Sequence, residues 1–234
     1  MRVKHPQPNT MHSTEIENQK KKIRLYDRQR EIIVGTLLGD GHLESRDNGR
    51  IYRLRVEHSI NQKEYVDWMY NELHGLAHAA PRIKEQDIFP PQGGKFRFHG
   101  YGFTTFSLGL LRFYGQQFYR NGRKVVPRLI SKLLSPTALA IWYLDDGSFK
   151  SNKHQTYIIH TYGYAKSDLR KVQKALLKRF DIETNLHRQR KNKKIYWRIY
   201  IVSRSAEKFR KLVEPIIKHI PSMGYKLGNV MPKE

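Results

Sequence analysis

The chain has no cysteine among its 234 residues. That excludes disulfides, Cys-ligated zinc and protein splicing started by a thiol. It also lacks any apolar run long enough to span a bilayer. The opening stretch, MRVKHPQPNTMHSTEIENQKKK, has no apolar centre, so it does not read as a secretory signal. The expected setting is a prokaryotic cytoplasm or an organelle matrix. Acidic residues are scarce: 21 Asp and Glu stand against 44 Lys and Arg, a formal charge of +23. Such self-repulsion calls for a polyanionic partner, and nucleic acid ranks ahead of an anionic membrane. A membrane surface is disfavoured, because no basic amphipathic helix shows an exposed apolar face. The 11 histidines are scattered without paired spacing, which argues against a zinc site.

An apolar content of 38% with 12% aromatics suits a folded protein. Residues 1–22 are polar, basic and Pro-containing, and read as a flexible arm. Two later stretches share an unusual ending. GTLLGDGHLE (35–44) and ALAIWYLDDGSF (138–149) are apolar runs that stop at an Asp followed by Gly. A helix C-terminus carries partial negative charge, so a carboxylate there is unfavourable without a cation beside it. The first helix is expected to run from an N-cap at Asp27 to Asp40, with Gly41 as its stop. The second is expected to start at Ser135-Pro136 and run to Asp146.

The elements around each ending recur in the same order. In the first half, Asn48-Gly49 predicts a hairpin turn. Beyond it Leu54 and Val56 alternate with Arg53, Arg55 and Glu57. A helix over KEYVDWMYNELHGL follows, then strands PRIKEQD and KFRFHGYGF, in which Phe96 and Phe98 are expected to face the core. A helix over TFSLGLLRFYGQQFY closes the half. In the second half come a strand (TYIIHTYGY), a helix capped at Ser167, a hairpin with a very basic tip (184–203) and a final helix. Asp40 and Asp146 are offset by 106 residues. The unit is αββαββα, so the fold class is α+β. Two copies, residues 23–127 and 128–234, are expected to pack about a pseudo-twofold axis. Such a pair presents two like surfaces, which suits a double helix. Trp68, Trp142 and Trp197 read as core.

IVGTLLGDG (33–41) and LAIWYLDDG (139–147) resemble the two motifs of the LAGLIDADG homing endonucleases, and the resemblance extends from about Tyr26 onwards. The match is best to the single-chain, two-motif branch, typified by the omega-intron endonuclease of yeast mitochondria. It implies saddle-shaped antiparallel sheets, with the motif helices packed side by side at the interface. Gly35 and Gly39 give the first helix a small-residue face, whereas Ile141 and Asp145 hold the matching positions in the second. The packing is therefore expected to be asymmetric.

The resemblance further implies a monomeric, divalent-metal-dependent endonuclease that cuts both strands of a long, nearly asymmetric DNA site and leaves 3′ overhangs. Its metal would be held by Asp40 and Asp146 and by the backbone carbonyls of Gly39 and Asp145. The side chain of Asp145 competes with that of Asp146. Mg²⁺ is the expected ion, Mn²⁺ a substitute, and Ca²⁺ is expected to bind without supporting cleavage. Lys124 and Lys226 match the family's basic residues beside each metal, with Arg123 an alternative to Lys124. DNA contacts are expected from Arg53, Arg55, Glu57, Lys84, Gln86, Arg97 and His99 in the first half. In the second they are expected from Lys150, Asn152, Lys153, His187, Arg188, Arg190, Lys193, Lys194 and Arg198. The alternative is an intron RNA maturase of the same fold, a splicing cofactor that binds RNA.

Overall fold

A computed structural model describes residues 11–45, 47–89, 93–151, 153–191 and 194–228. Of the arm expected over 1–22, Met11–Lys22 is helical (α1), ending in Lys20, Lys21 and Lys22. Residues 1–10 lie outside the described residues. The first half comprises α2 (Asp27–Leu38), β1 (His42–Glu44), β2 (Arg53–Ser59), α3 (Lys63–Leu73), β3 (Arg82–Ile88), β4 (Phe96–Thr104) and α4 (Arg112–Phe118). A small hairpin, β5 (Tyr119–Arg120) and β6 (Arg123–Lys124), and a single turn, α5 (Ile130–Leu133), lead into the second half. There α6 (Pro136–Asp146), β7 (Gly147–Phe149), β8 (Tyr157–His160), α7 (Lys166–Phe180), β9 (Thr184–Lys191), β10 (Lys194–Ile201) and α8 (Ser203–Ile217) repeat the order. The sheets run β1-β2-β4-β3 and β7-β8-β10-β9, the same antiparallel topology twice.

Helix α6, and α2 from Ile32 to Leu38, are apolar almost all round, and such segments belong in the middle of a protein. Ile32, Ile33, Leu37 and every residue from Ala138 to Leu144 are fully or almost fully buried. Helices α3 and α7 bury only one stripe each, Tyr65, Val66, Met69 and Leu73 in one and Leu169, Val172, Ala175 and Leu176 in the other. Trp142 is fully buried, while Trp68 and Trp197 pack partly buried against the core.

The Ser135 hydroxyl accepts from the Ala138 N–H at 3.1 Å, with Pro136 as the first helical residue, as expected. Elsewhere the local expectations shift. Helix α2 begins with Asp27 inside it and Tyr26 at the N-cap, where the Gln29 side chain accepts the Tyr26 N–H. It stops at Leu38, so Asp40 sits in the turn beyond and not on the last helical turn. The N-cap of α7 is Ala165, with Ser167 already helical. In TFSLGLLRFYGQQFY only the second part is helical, because Tyr52 and Leu108 bridge as extended backbone. The basic turn RNGRKVVP forms the β5–β6 hairpin, with Asn121 and Gly122 both at positive φ. Asn48 and Gly49 take positive φ as well, the signature of the expected turn.

Candidate metal centre and nucleic-acid face

The two motif helices meet closely where glycine permits it. A Cβ built on Gly35 would lie 2.6 Å from both the Ala138 carbonyl oxygen and Ile141 Cβ. One on Gly39 would lie 2.3 Å from Asp145 Oδ2. The residues that fill these gaps from α6 are therefore Ile141 and Asp145, which hold the positions matching the two glycines. The asymmetry of the two copies is a bump fitted into a hollow.

This contact brings the two motif ends together. The Asp40 N–H donates to Asp145 Oδ2 at 3.0 Å, and the Tyr65 hydroxyl donates to Asp145 Oδ1 at 2.7 Å. Asp145 is thus clamped and its side chain fully buried, whereas Asp40 is about half exposed. Asp146 turns away from this clamp, as one residue of helical rotation requires. Its Oδ2 accepts from Trp142 Nε1 at 3.1 Å. Asp146 lines a cavity of about 170 Å³ with Gly39, Lys124, His160 and Thr161.

Each half contributes a lysine to its own motif. Lys124 Nζ donates to the carbonyls of Gly39 (2.6 Å) and Gly41 (2.8 Å). Lys226 Nζ donates to those of Leu144 (2.5 Å) and Gly147 (2.9 Å), with a longer contact of 3.4 Å to Asp145. The Leu144 and Asp145 carbonyls are among those that a helix end leaves unsatisfied, and those of Gly39, Gly41 and Gly147 lie just beyond the helix ends. Tyr164 from the second half adds a bond to the Leu38 carbonyl at 2.8 Å, across the interface.

Burial pushes Asp145 and Asp146 up to about 8, and the charge of Asp40 adds to the shift. Burial also lowers both lysines, against the pull of the three carboxylates. An anionic centre so costly to ionise is one that a cation would relieve. His58 belongs to the same cluster. Its Nδ1 lies 3.6 Å from Asp40 and its Nε2 3.7 Å from Asp145, within the clamp and almost fully buried. One donor atom from each of Asp40, His58 and Asp145 fits within 4.8 Å of the others. The oxygen-rich set, open to solvent through Asp40, fits a hard divalent cation. Sequence reading missed His58, Tyr65 and Tyr164. His58 had a signal: it continues the inward-facing Leu54 and Val56 of β2, where an apolar residue would be ordinary.

The strand candidates separate by face. Arg53, Arg55 and Glu57 project from the side of β2 opposite Leu54 and Val56. The β2–β4–β3 register puts Lys84 and Gln86 on that side too. It also puts Phe96 and Phe98 there, and places Arg97 and His99 on the other side, in line with His58 and Tyr101. Arg97 pairs with Glu85 and Asp87 on that opposite face, and His99 with Glu85. The expected core-facing role of Phe96 therefore fails: the outer end of this hairpin runs beyond the core, and Phe96 is exposed. In the second sheet His187, Lys194 and Arg198 share one face, while Arg188 and Arg190 lie across from Trp197 and Ile195 on the other. Lys150 lies over the Tyr200 ring at 4.8 Å, and Lys153 is exposed in the loop after β7. Asn152 and Lys193 lie outside the described residues.

Two repeats of one topology, a carboxylate-rich helix junction and a net charge of +23 define a pseudo-dimeric nucleic-acid-processing fold. The model of the LAGLIDADG DNA endonuclease family matches residues 30–209, so the chain belongs to that family. It is 30% identical over 213 residues to DNA endonuclease I-ChuI of Chlamydomonas applanata, covering 88% of this chain and 96% of that one. It is 29% identical over 201 residues to the cytochrome b mRNA maturase bI2 of Debaryomyces hansenii, covering 86% and 74%. Its fold matches that of the homing endonuclease I-WcaI bound to its DNA recognition sequence, with a TM-score of 0.80 at 24% identity, covering 97% and 96% of the two chains.

Proposed function

We propose that the chain is a monomeric, sequence-specific homing endonuclease that hydrolyses one phosphodiester in each strand of a long, nearly asymmetric duplex site. The observation that carries this reading is the junction itself: a carboxylate from each half at the meeting motif ends, with a lysine of the same half bound to each end. Asp40 and Asp146 would hold divalent ions, Mg²⁺ by preference. Such ions supply charge neutralisation at the phosphate and acidify a bound water. Asp146 suits direct ligation because only Oδ2 is engaged, by Trp142. Asp145, with both oxygens accepting hydrogen bonds, suits the role of fixing the Asp40 backbone. Lys124 spends two of its three N–H donors on carbonyls. The third remains to orient a water or a phosphate oxygen. Breaks with 3′ overhangs belong to the same proposal.

A cleavage selection from a random plasmid library in Mg²⁺ tests this. The protein is expected to linearise a defined subset, and Ca²⁺ to support binding without cutting. Asp40→Asn and Asp146→Asn are each expected to lower cutting at least about 100-fold while duplex binding persists. Full cutting by both variants would refute the assignment. The maturase bI2 similarity favours a second reading, RNA binding in splicing. A chain that speeds splicing of an intron transcript, undiminished by either Asp variant, would support that reading.

A further inference from the structure

The two sheets are alike in topology and unlike in charge. On the first, two carboxylates sit among the cations of the exposed face. Glu44 accepts from Arg53 (2.7 Å) and Arg55 (3.4 Å). Glu57 accepts from Arg55 and Lys84, both at 2.9 Å. The result is a chain of ion pairs, Arg53–Glu44–Arg55–Glu57–Lys84, laid across three strands. Burial raises both carboxyls, but the hydrogen bonds from their cations outweigh it and hold them below the usual value. The lattice therefore stays ionised at neutral pH. Close by, Gly102 leaves no room for a side chain, since its Cβ would lie 2.2 Å from the Val56 carbonyl.

The four strands of the second sheet contain no carboxylate at all. Among the described residues, Lys194 and Arg198 make no ion pair. Arg198 Nε and His160 Nδ1 are buried without a hydrogen-bond partner. Aromatic rings lie between them: His187 stacks on Tyr200 at 4.5 Å, and Tyr162 meets Tyr196 edge-on at 5.3 Å.

A cation already paired gains little by meeting a phosphate, because it must give up a carboxylate and bring that negative charge near DNA. A free cation releases counterions in full. Arg and Glu are side chains that read guanine and cytosine edges, and the lattice holds them in fixed positions on this face. Building on the DNA-cleaving reading above, we propose that the sheets divide recognition. The second sheet supplies the salt-dependent grip on the phosphates. The first sheet, through the lattice centred on Glu44 and Glu57, discriminates sequence.

Two double variants test this, each checked for an unchanged melting transition. Glu57→Gln with Lys84→Gln removes the lattice link and keeps the net charge. Lys194→Gln with Arg198→Gln removes two free cations. Binding to a duplex of arbitrary mixed sequence is measured from about 50 to about 200 mM KCl. Sequence preference is read by selection from a random duplex library. The second-sheet variant is expected to flatten the salt slope by about 1.8, a drop in salt sensitivity of roughly tenfold over that range, at about 0.9 per lost phosphate contact. The first-sheet variant is expected to keep the slope and to lose most of the base preference of the selected site. Equal flattening by both variants, or a first-sheet variant that selects the same full site, would overturn the division. Absence of any salt-dependent duplex binding by the unmodified chain would instead overturn the DNA reading beneath it.

Discussion

Gly35 offers a clean test of the helix junction, because two effects of one methyl group oppose each other there. In an isolated helix Gly→Ala stabilises by about 1 kcal/mol through backbone entropy. At the junction the new Cβ would sit 2.6 Å from a backbone carbonyl oxygen and 2.6 Å from Ile141 Cβ. Neither atom can swing aside, as the tip of a flexible side chain could. The helices must separate by about 1 Å to restore ordinary contact, and overpacking of this kind costs about 1–3 kcal/mol. Two rigid neighbours place the cost at the upper end, about 3 kcal/mol. The net is a loss of about 2 kcal/mol, or about 4–8 °C in melting temperature for a chain this long. Gly75→Ala serves as the control, since a Cβ there meets nothing within 4 Å. With no clash to oppose it, the entropic gain should stand there alone and raise stability by about 0.4–1 kcal/mol. Melting followed by circular dichroism decides the matter. A Gly35→Ala protein that melts at or above the unmodified temperature would show that the close approach of α2 and α6 is wrong.

The metal-free protein should lose stability as pH rises from about 4 to about 8. Asp145 and Asp146 bind protons up to about 8 when folded but only to the ordinary carboxylate range when unfolded. The folded state thus holds more protons in that window, and the slope of stability with pH is negative. Melting scans in EDTA should show this fall, and Ca²⁺ should offset it most strongly at the upper end. A melting temperature that climbs with pH in EDTA, and equally so in Asp145→Asn, would contradict the burial of these groups. Ser135→Ala removes the cap on the Ala138 N–H and should cost about 1 kcal/mol. Denaturant titration should register it as a lower midpoint with an unchanged slope.

Much of the fold was legible in the chain because repeats and periodicities are local. The alternation of Leu54 and Val56 with Arg53 and Arg55 set the faces of β2, and the paired GDG and DDG endings marked the junction. Ser135-Pro136 announced the start of α6 through chemistry contained in four residues. Failures came where a distant strand chose the outcome. Phe96 and Phe98 alternate as a core face should, yet pairing with β2 and β3 turns them to the side of Arg55 and Lys84. Side-chain period alone says which residues share a face, and only register says which face that is.

The same limit governs the site. Composition and the repeat were enough to indicate a polyanion partner and a carboxylate from each half, since charge and spacing are properties of the chain. Tertiary packing alone set His58 and Tyr65 against Asp145, and gave Gly39 and Asp145 complementary shapes. It alone paired Glu44 and Glu57 with the cations of one sheet while leaving those of the other free. Those contacts join residues as far apart in the chain as Gly39 and Asp145. Their distances follow from how the two halves close on each other, which no local pattern encodes.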